Sequence, residues 1–333
     1  MSAVPAPPRV VVLTAEGTPP PANEAALRRL ADITVVTREG LAGALAGDAD
    51  RRPAEVLLLW DFFSDALAGA WDAATALRWV HVAAAGVDAV LFPELRASGV
   101  RLTNARGVFD RPVAEFVLAA VLAQDKQLHR SEALQRDRRW VHRELRRTRG
   151  STALVVGTGG IGRETARLLR AAGMAVRGAG RTARAEDPDF GTVVPAAELA
   201  EHAGWADHLV LAAPLTERTR GLVDARVLAA MPPHGHLVNV GRGPLVDEDA
   251  LLEALLAGRL AAATLDVFAT EPLPPAHPFW AMDEVHVSAH LCGDVEGWRE
   301  ELAAQFEDHL RRWTAGEPLR HEVDKVAGYV RSS

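Results

Sequence analysis

TALVVGTGGIGRETARLLRAAGMAVRGAG, residues 152–180, is the stretch that decides the fold. Its first five residues form a short apolar run, the pattern of a buried strand. Ile161, Thr165, Leu168, Leu169 and Ala172 then share one side of a helix that Gly173 can stop, and MAVRGA (174–179) makes a second strand. Between strand and helix lies Gly157-Thr158-Gly159-Gly160-Ile161-Gly162. Gly157 permits a tight turn, Gly159 lets the backbone approach a pyrophosphate, and Gly162 lets the helix pack closely, while the helix N-terminus offers amides to phosphate. A glycine-rich structural turn satisfies the same spacing. The strand, helix and strand in register around it make dinucleotide binding the expected role.

The end of the second strand bears on which dinucleotide. A carboxylate there, roughly 20 residues past the loop, accepts hydrogen bonds from a ribose 2′-hydroxyl. Gly180 stands at that place, followed by Arg181, Thr182 and Arg184. A guanidinium pairs with a 2′-phosphate that a carboxylate would repel. NADP(H) is therefore the expected cofactor, with NAD(H) possible; the competing reading makes these arginines solvated surface residues.

Working outward, short apolar runs continue the rhythm at HLVLAA (208–213), HLVNV (236–240), AATLDVF (262–268) and VHVSAH (285–290). An earlier series comprises RVVVLT (9–14), ITVVT (33–37), EVLLLW (55–60), RWVHVAAAG (78–86) and RLTNA (101–105). Each series predicts a parallel sheet. A helix is predicted from Pro112 onward, and a terminal helix over Trp298–Arg312. The fold class is α/β, in two domains, as 333 residues allow at roughly 150 per domain.

Composition narrows the function. A net charge of -7 and a pI near 6.0 give no attraction for nucleic acid, and no apolar run approaches the roughly 18 residues of a membrane span. The start, MSAVPAPPRV, shows no secretory signal pattern, and the single cysteine, Cys292, excludes an internal disulfide. A cytoplasmic protein is expected.

From about Arg78 to Gly297 the sequence resembles the D-isomer-specific 2-hydroxyacid dehydrogenases. The motifs are AAAGVD (83–88), the glycine loop, NVGRGPLVDEDALLEAL (239–255), and LDVFATEPLP (265–274) followed by SAH (288–290). The resemblance implies two Rossmann-like, doubly wound parallel-sheet domains. A cofactor domain, 105–290, is inserted in a flavodoxin-like substrate domain, 1–104 plus 291–333, and domain closure completes the site. It implies Arg242, Glu271 and His290 as the catalytic residues, and the Gly86 and Val87 N–H groups with Arg242 as the substrate-carboxylate site. It places Asp266 near the nicotinamide carboxamide, completes the cofactor site with Gly160, Ile161 and Pro214, and implies a homodimer and no metal.

These residue types suit hydride exchange between NAD(P)H and a small 2-oxo or D-2-hydroxy acid of the glyoxylate or hydroxypyruvate kind. A planar guanidinium can donate to the carboxylate and the adjacent carbonyl together. His290 can act as general acid in reduction and general base in oxidation, with Glu271 orienting the ring. The bland alternatives are a surface arginine, a loop-capping glutamate and a structural histidine. The sequence also departs from the family: Ala289 replaces the usual proline, LCGD (291–294) follows the histidine, and Asp110 and Arg111 replace small polar residues. Two rival functions keep the same fold, a non-enzymatic NAD(P)-sensing interaction protein and a formate- or phosphite-type dehydrogenase.

Overall fold

The computed structural model describes residues 6–62 and 64–331, so residues 1–5 of the segment read for a targeting signal lie outside it. The chain divides into two compact units, one running to Val108 and resuming at Glu296, the other Phe109–Val295.

The first unit is built on β1 (Arg9–Leu13), β2 (Asp32–Val36), β3 (Val56–Leu59), β4 (Trp79–Val82) and β5 (Arg101–Asn104). All pair in parallel, in the order β2-β1-β3-β4-β5. Every residue of β1, β3 and β4 is buried, which explains their unbroken apolar runs: a parallel sheet is covered on both faces. The strand order reverses between β1 and β3, the place where open α/β sheets bind ligands. The C-terminal helix, Trp298–Thr314, buries Leu302, Phe306, His309 and Leu310 in this unit. Phe306 and His309 stack on the Trp79 indole, with ring centroids 5.5 and 6.2 Å away.

The second unit holds β6 (Thr152–Val156), β7 (Ala175–Gly180), β8 (Arg184–Asp187), β9 (Gly191–Pro195), β10 (His208–Leu211), β11 (His236–Asn239), β12 (Ala262–Leu265) and β13 (Val285–Val287). Their order is β13-β12-β11-β10-β6-β7-β9-β8, parallel except for β8 against β9. The helices that matter for the site are α1 (Asp110–Asp125), α2 (Leu128–Arg136) and α3 (Gly160–Ala171). α1 begins two residues before Pro112, so the proline sits in its first turn, where its missing N–H costs nothing.

The β8–β9 hairpin has no counterpart in the apolar pattern, because charge holds it. Arg163 of α3 donates to Asp187 at 3.0 Å and to Asp189 at 2.6 Å, and Arg167 adds a bond to Asp189 at 2.7 Å. Polar side chains also thread the interior: His208 Nδ1 lies 3.1 Å from His236 Nδ1, and His236 Nε2 lies 2.9 Å from Thr264 Oγ1. His129 of α2 stacks on His286 of β13, centroids 3.6 Å apart.

Candidate active site

The loops after β11, β12 and β13 gather the predicted catalytic residues at the carboxyl edge of one sheet. Glu271 Oε2 lies 2.7 Å from His290 Nδ1, and its Oε1 accepts the Phe268 N–H at 2.8 Å. Burial acts to raise the Glu271 pKa, but the bonds from His290 and Phe268 and the nearby Arg242 charge outweigh it and hold the pKa below its usual value. Glu271 is thus a fixed carboxylate at neutral pH, and it occupies Nδ1 of the ring.

Arg242 reaches this neighbourhood through a tightly folded turn. Asn239 Oδ1 accepts the Gly241 N–H at 3.1 Å and its Nδ2 donates to the Arg242 carbonyl at 3.0 Å. At Gly243 a Cβ would stand 1.8 Å from the Phe268 carbonyl carbon, so glycine alone lets this turn lie against the loop that holds Glu271. Arg242 itself is half-buried, with Nη1 donating to the Gly241 carbonyl at 2.8 Å.

Asp266 ties the histidine loop to the end of β12. It is fully buried; its carbonyl accepts the His290 N–H at 2.8 Å, and its two carboxylate oxygens accept the N–H groups of Leu291 at 3.0 Å and Cys292 at 3.2 Å. His290 takes a left-handed backbone, φ 52°, inside this bracket. Burial first, and the Asp266 carboxylate next, push the Cys292 thiol far above its ordinary range, so it stays a thiol.

The glycine loop has the shape of a phosphate cradle. Gly157 is left-handed, φ 107°, and a Cβ on it would stand 2.6 Å from the Ala212 carbonyl carbon, beside the loop that carries Pro214. A Cβ on Gly162 would stand 1.9 Å from the Gly157 oxygen, whereas Gly159 faces open space. The backbone before α3 is therefore exposed where a pyrophosphate would meet the amides of Gly160 and Ile161. These residues fit a dinucleotide. Asp110 lies beside the cradle as well: a Cβ on Gly160 would fall 1.9 Å from its Oδ2.

Comparison with known proteins agrees with this geometry. A model of the D-isomer specific 2-hydroxyacid dehydrogenase NAD binding domain matches residues 118–292. The chain belongs to the D-isomer specific 2-hydroxyacid dehydrogenase family. Among its relatives is a glyoxylate/hydroxypyruvate reductase A of Serratia proteamaculans, 31% identical over 84% of this chain and 89% of that protein. A family member from Xanthobacter autotrophicus, solved with NADPH and MES, superposes with a TM-score of 0.82 at 32% identity, covering 97% of this chain and all of the other. An NADPH-dependent glyoxylate/hydroxypyruvate reductase from Sinorhizobium meliloti, solved with NADP and sulfate, gives 0.80 at 30% identity, covering 96% and 100%.

In this dehydrogenase the remaining predicted residues are distributed as follows. Gly86 and Val87 follow β4 in the first unit, next to Ala85, whose carbonyl accepts Asn104 Nδ2 at 2.6 Å. Arg181 and Thr182 are exposed at the end of β7, while Arg184 is bound to Asp187 at 2.9 Å. At Gly180 a Cβ would approach Thr158 Oγ1 to 3.1 Å, so a larger residue there would have to shift the threonine side chain by a few tenths of an ångström. The sequence reading did not single out Asn239 or the bracket made by Asp266; both act through backbone groups, and residue type carries no trace of that. Among the described residues no set of three histidine, cysteine, aspartate or glutamate side chains is arranged to hold a metal ion.

Proposed function

We propose that this dehydrogenase reduces a small 2-oxo acid to the D-2-hydroxy acid with NADPH, and catalyses the reverse with NADP⁺. The observation that carries the reading is the 2.7 Å His290–Glu271 pair, beside the Arg242 turn packed on the same loop. The bound nicotinamide supplies the hydride to the carbonyl carbon. Arg242 donates to the carboxylate and carbonyl oxygens and holds the acid in one orientation. With Nδ1 held by Glu271, His290 presents Nε2, which gives its proton to the oxygen as charge develops there and takes it back in oxidation. Gly86 and Val87 offer their N–H groups to the substrate carboxylate.

The NADPH preference rests on Gly180, Arg181 and Thr182 and on the NADP or NADPH bound in the Xanthobacter and Sinorhizobium relatives. We place the enzyme in the cytoplasm, in keeping with its buried lone cysteine; no helix among the described residues is long and apolar enough to cross a membrane. A homodimer is supported by the apolar side chains that α2 and the stretch after it expose, Leu128, Val141, Leu145 and the fully exposed Trp140. Sedimentation of the wild type against Trp140→Ala tests it. The activity is tested by steady-state rates with NADPH and NADH on glyoxylate, hydroxypyruvate, pyruvate, bulkier 2-oxo acids, formate and phosphite. Turnover confined to formate or phosphite, or binding of NADPH with no turnover, would replace this reading with one of its two rivals.

A further inference from the structure

Asp247 caps the helix Glu248–Leu256, which follows the Arg242 turn, its Oδ1 accepting the Ala250 N–H at 3.1 Å. Glu248 stands next to it in the first helical turn, yet its carboxylate is engaged elsewhere: Oε1 accepts the Ala269 N–H at 2.7 Å. The preceding amide, that of Phe268, donates to Glu271 Oε1 at 2.8 Å, and Glu271 Oε2 lies 2.7 Å from His290 Nδ1. Adjacent amides of one turn thus end on two carboxylates. One is the partner of His290, and the other belongs to the helix that follows Arg242.

The turn lies at the surface. Ala269, Thr270 and Glu271 are all exposed, so burial of their own side chains does not fix its backbone. Packing confines it on the side of Gly243, where a Cβ would stand 1.8 Å from the Phe268 carbonyl carbon and 2.3 Å from the Ala269 nitrogen. Glu248 adds a directional contact, and a hydrogen bond to an ionised acceptor is roughly twice as strong as a neutral one. The planar Ala269 amide shares the Phe268 α-carbon with the amide that holds Glu271, so tilting one displaces the other. Arg242 and Asp266 are the other charged groups at the pair, from the turn after β11 and the end of β12.

We infer that Glu248 is a positioning residue for the proton transfer: by holding the Ala269 amide it fixes the turn whose Phe268 amide aims Glu271 at His290. Because it does so from the helix that follows Arg242, it also keeps the arginine and the histidine–glutamate pair at one spacing. The inference rests on the roles given above to Glu271 and His290 and adds a residue to them.

The test separates reach from charge. Glu248→Gln keeps an acceptor oxygen at the same length and loses the charge, Glu248→Asp keeps the charge and is too short, and Glu248→Ala loses both. Each is compared with the wild type and Glu271→Gln in the pH profile of kcat for reduction, using saturating NADPH and whichever 2-oxo acid of the panel above is reduced fastest. Glu248→Asp and Glu248→Ala should lower kcat by about three- to thirtyfold, below the roughly hundredfold that a misplacement of 1 Å can cost. Both should move the alkaline limb to lower pH, in the direction of Glu271→Gln, and leave NADPH affinity, read by fluorescence titration, unchanged. Glu248→Gln should restore the rate and the limb. If the alanine variant does not fold, the aspartate and glutamine variants decide. A wild-type profile in Glu248→Asp, a glutamine variant as impaired as the aspartate one, or an NADPH affinity that falls with kcat overturns the inference. Any of these beside a shifted Glu271→Gln leaves the dehydrogenase reading standing, whereas an unshifted Glu271→Gln removes the pair on which both depend.

Discussion

His290 occupies a left-handed conformation that costs a non-glycine residue on the order of 1–2 kcal/mol, and Asp266 is the group that maintains it. Both Asp266 oxygens are taken up by the amides that follow the histidine. Asp266→Ala leaves two N–H groups without acceptors, at about 1–3 kcal/mol each where buried. The variant should unfold at lower denaturant concentration and lose kcat with NADPH affinity less affected; an unchanged kcat would free the histidine loop from this bracket. At His290 itself the ring is proposed as the general acid. His290→Gln should cost about 10²- to 10⁴-fold in rate and remove the titrating group from the pH profile of reduction. Glu271→Gln should be milder. It should move the alkaline limb of the profile to lower pH, because the imidazolium loses a neighbouring negative charge. An unshifted limb would separate Glu271 from the proton transfer despite the 2.7 Å contact.

The glycine loop and its helix show how differently the glycines of one motif are used. At Gly162 an added Cβ meets a backbone oxygen at 1.9 Å, which cannot retreat without dismantling the turn. At Gly160 the obstacle at the same distance is the end of the Asp110 side chain, which can swing away. Gly162→Ala should therefore abolish NADPH binding or folding, while Gly160→Ala should keep a near-native melting temperature; fluorescence titration and thermal melts decide it, and equal damage from the two would refute the distinction. At the far end of β7, charge-assisted bonds are worth roughly 1.5–3 kcal/mol. Arg181→Ala should accordingly raise the KM for NADPH by about ten- to a hundredfold and leave NADH little changed; similar effects on both cofactors would mean that Arg181 does not read the 2′-phosphate. This element was legible in the sequence because alternation, helical spacing and glycine placement are local. β8 was not, since Asp187 of its RAED segment is held by Arg163, and Asp189 in the turn after it by Arg167, both on a distant helix. Likewise the residue types of Arg242, Glu271 and His290 announce their chemistry, whereas the turn at Gly243 that brings Arg242 near the Glu271 loop is visible only as missing space in three dimensions.

Across the molecule, both units bury histidines in ways that make stability depend on pH. In the first, burial, then the charges of His309 and His321, hold His81 well below its ordinary pKa, and burial followed by His321 lowers His309 to about 4, with Arg312 and Arg320 acting in the same sense and Asp308 against it. In the second, burial and then His208, His286 and His129 depress His236, while burial and His129 bring His286 to about 4. A depressed histidine is neutral in the fold. Above pH 6.5 it is neutral in both states and contributes no pH dependence; between about 6.5 and 4 the unfolded chain binds the proton and the native state does not, so stability falls as pH falls. Below about 4 His309 and His286 are protonated in both states and their contribution levels off. Carboxylates act lower still: Asp187, where the bonds from Arg163 and the Asp189 and Phe190 amides overcome the burial that would raise it, titrates at about 2 in the fold. Each histidine gives a slope of up to about 1.4 kcal/mol per pH unit, on the order of 3 kcal/mol for His309 over its window. The melting temperature should thus decline between pH 7 and pH 5. His309→Phe keeps a ring beside Trp79 and removes the titrating nitrogen, so it should flatten that decline. A melting temperature constant from pH 7 to 5, or an equally steep decline in the variant, would show that these buried histidines do not govern acid stability.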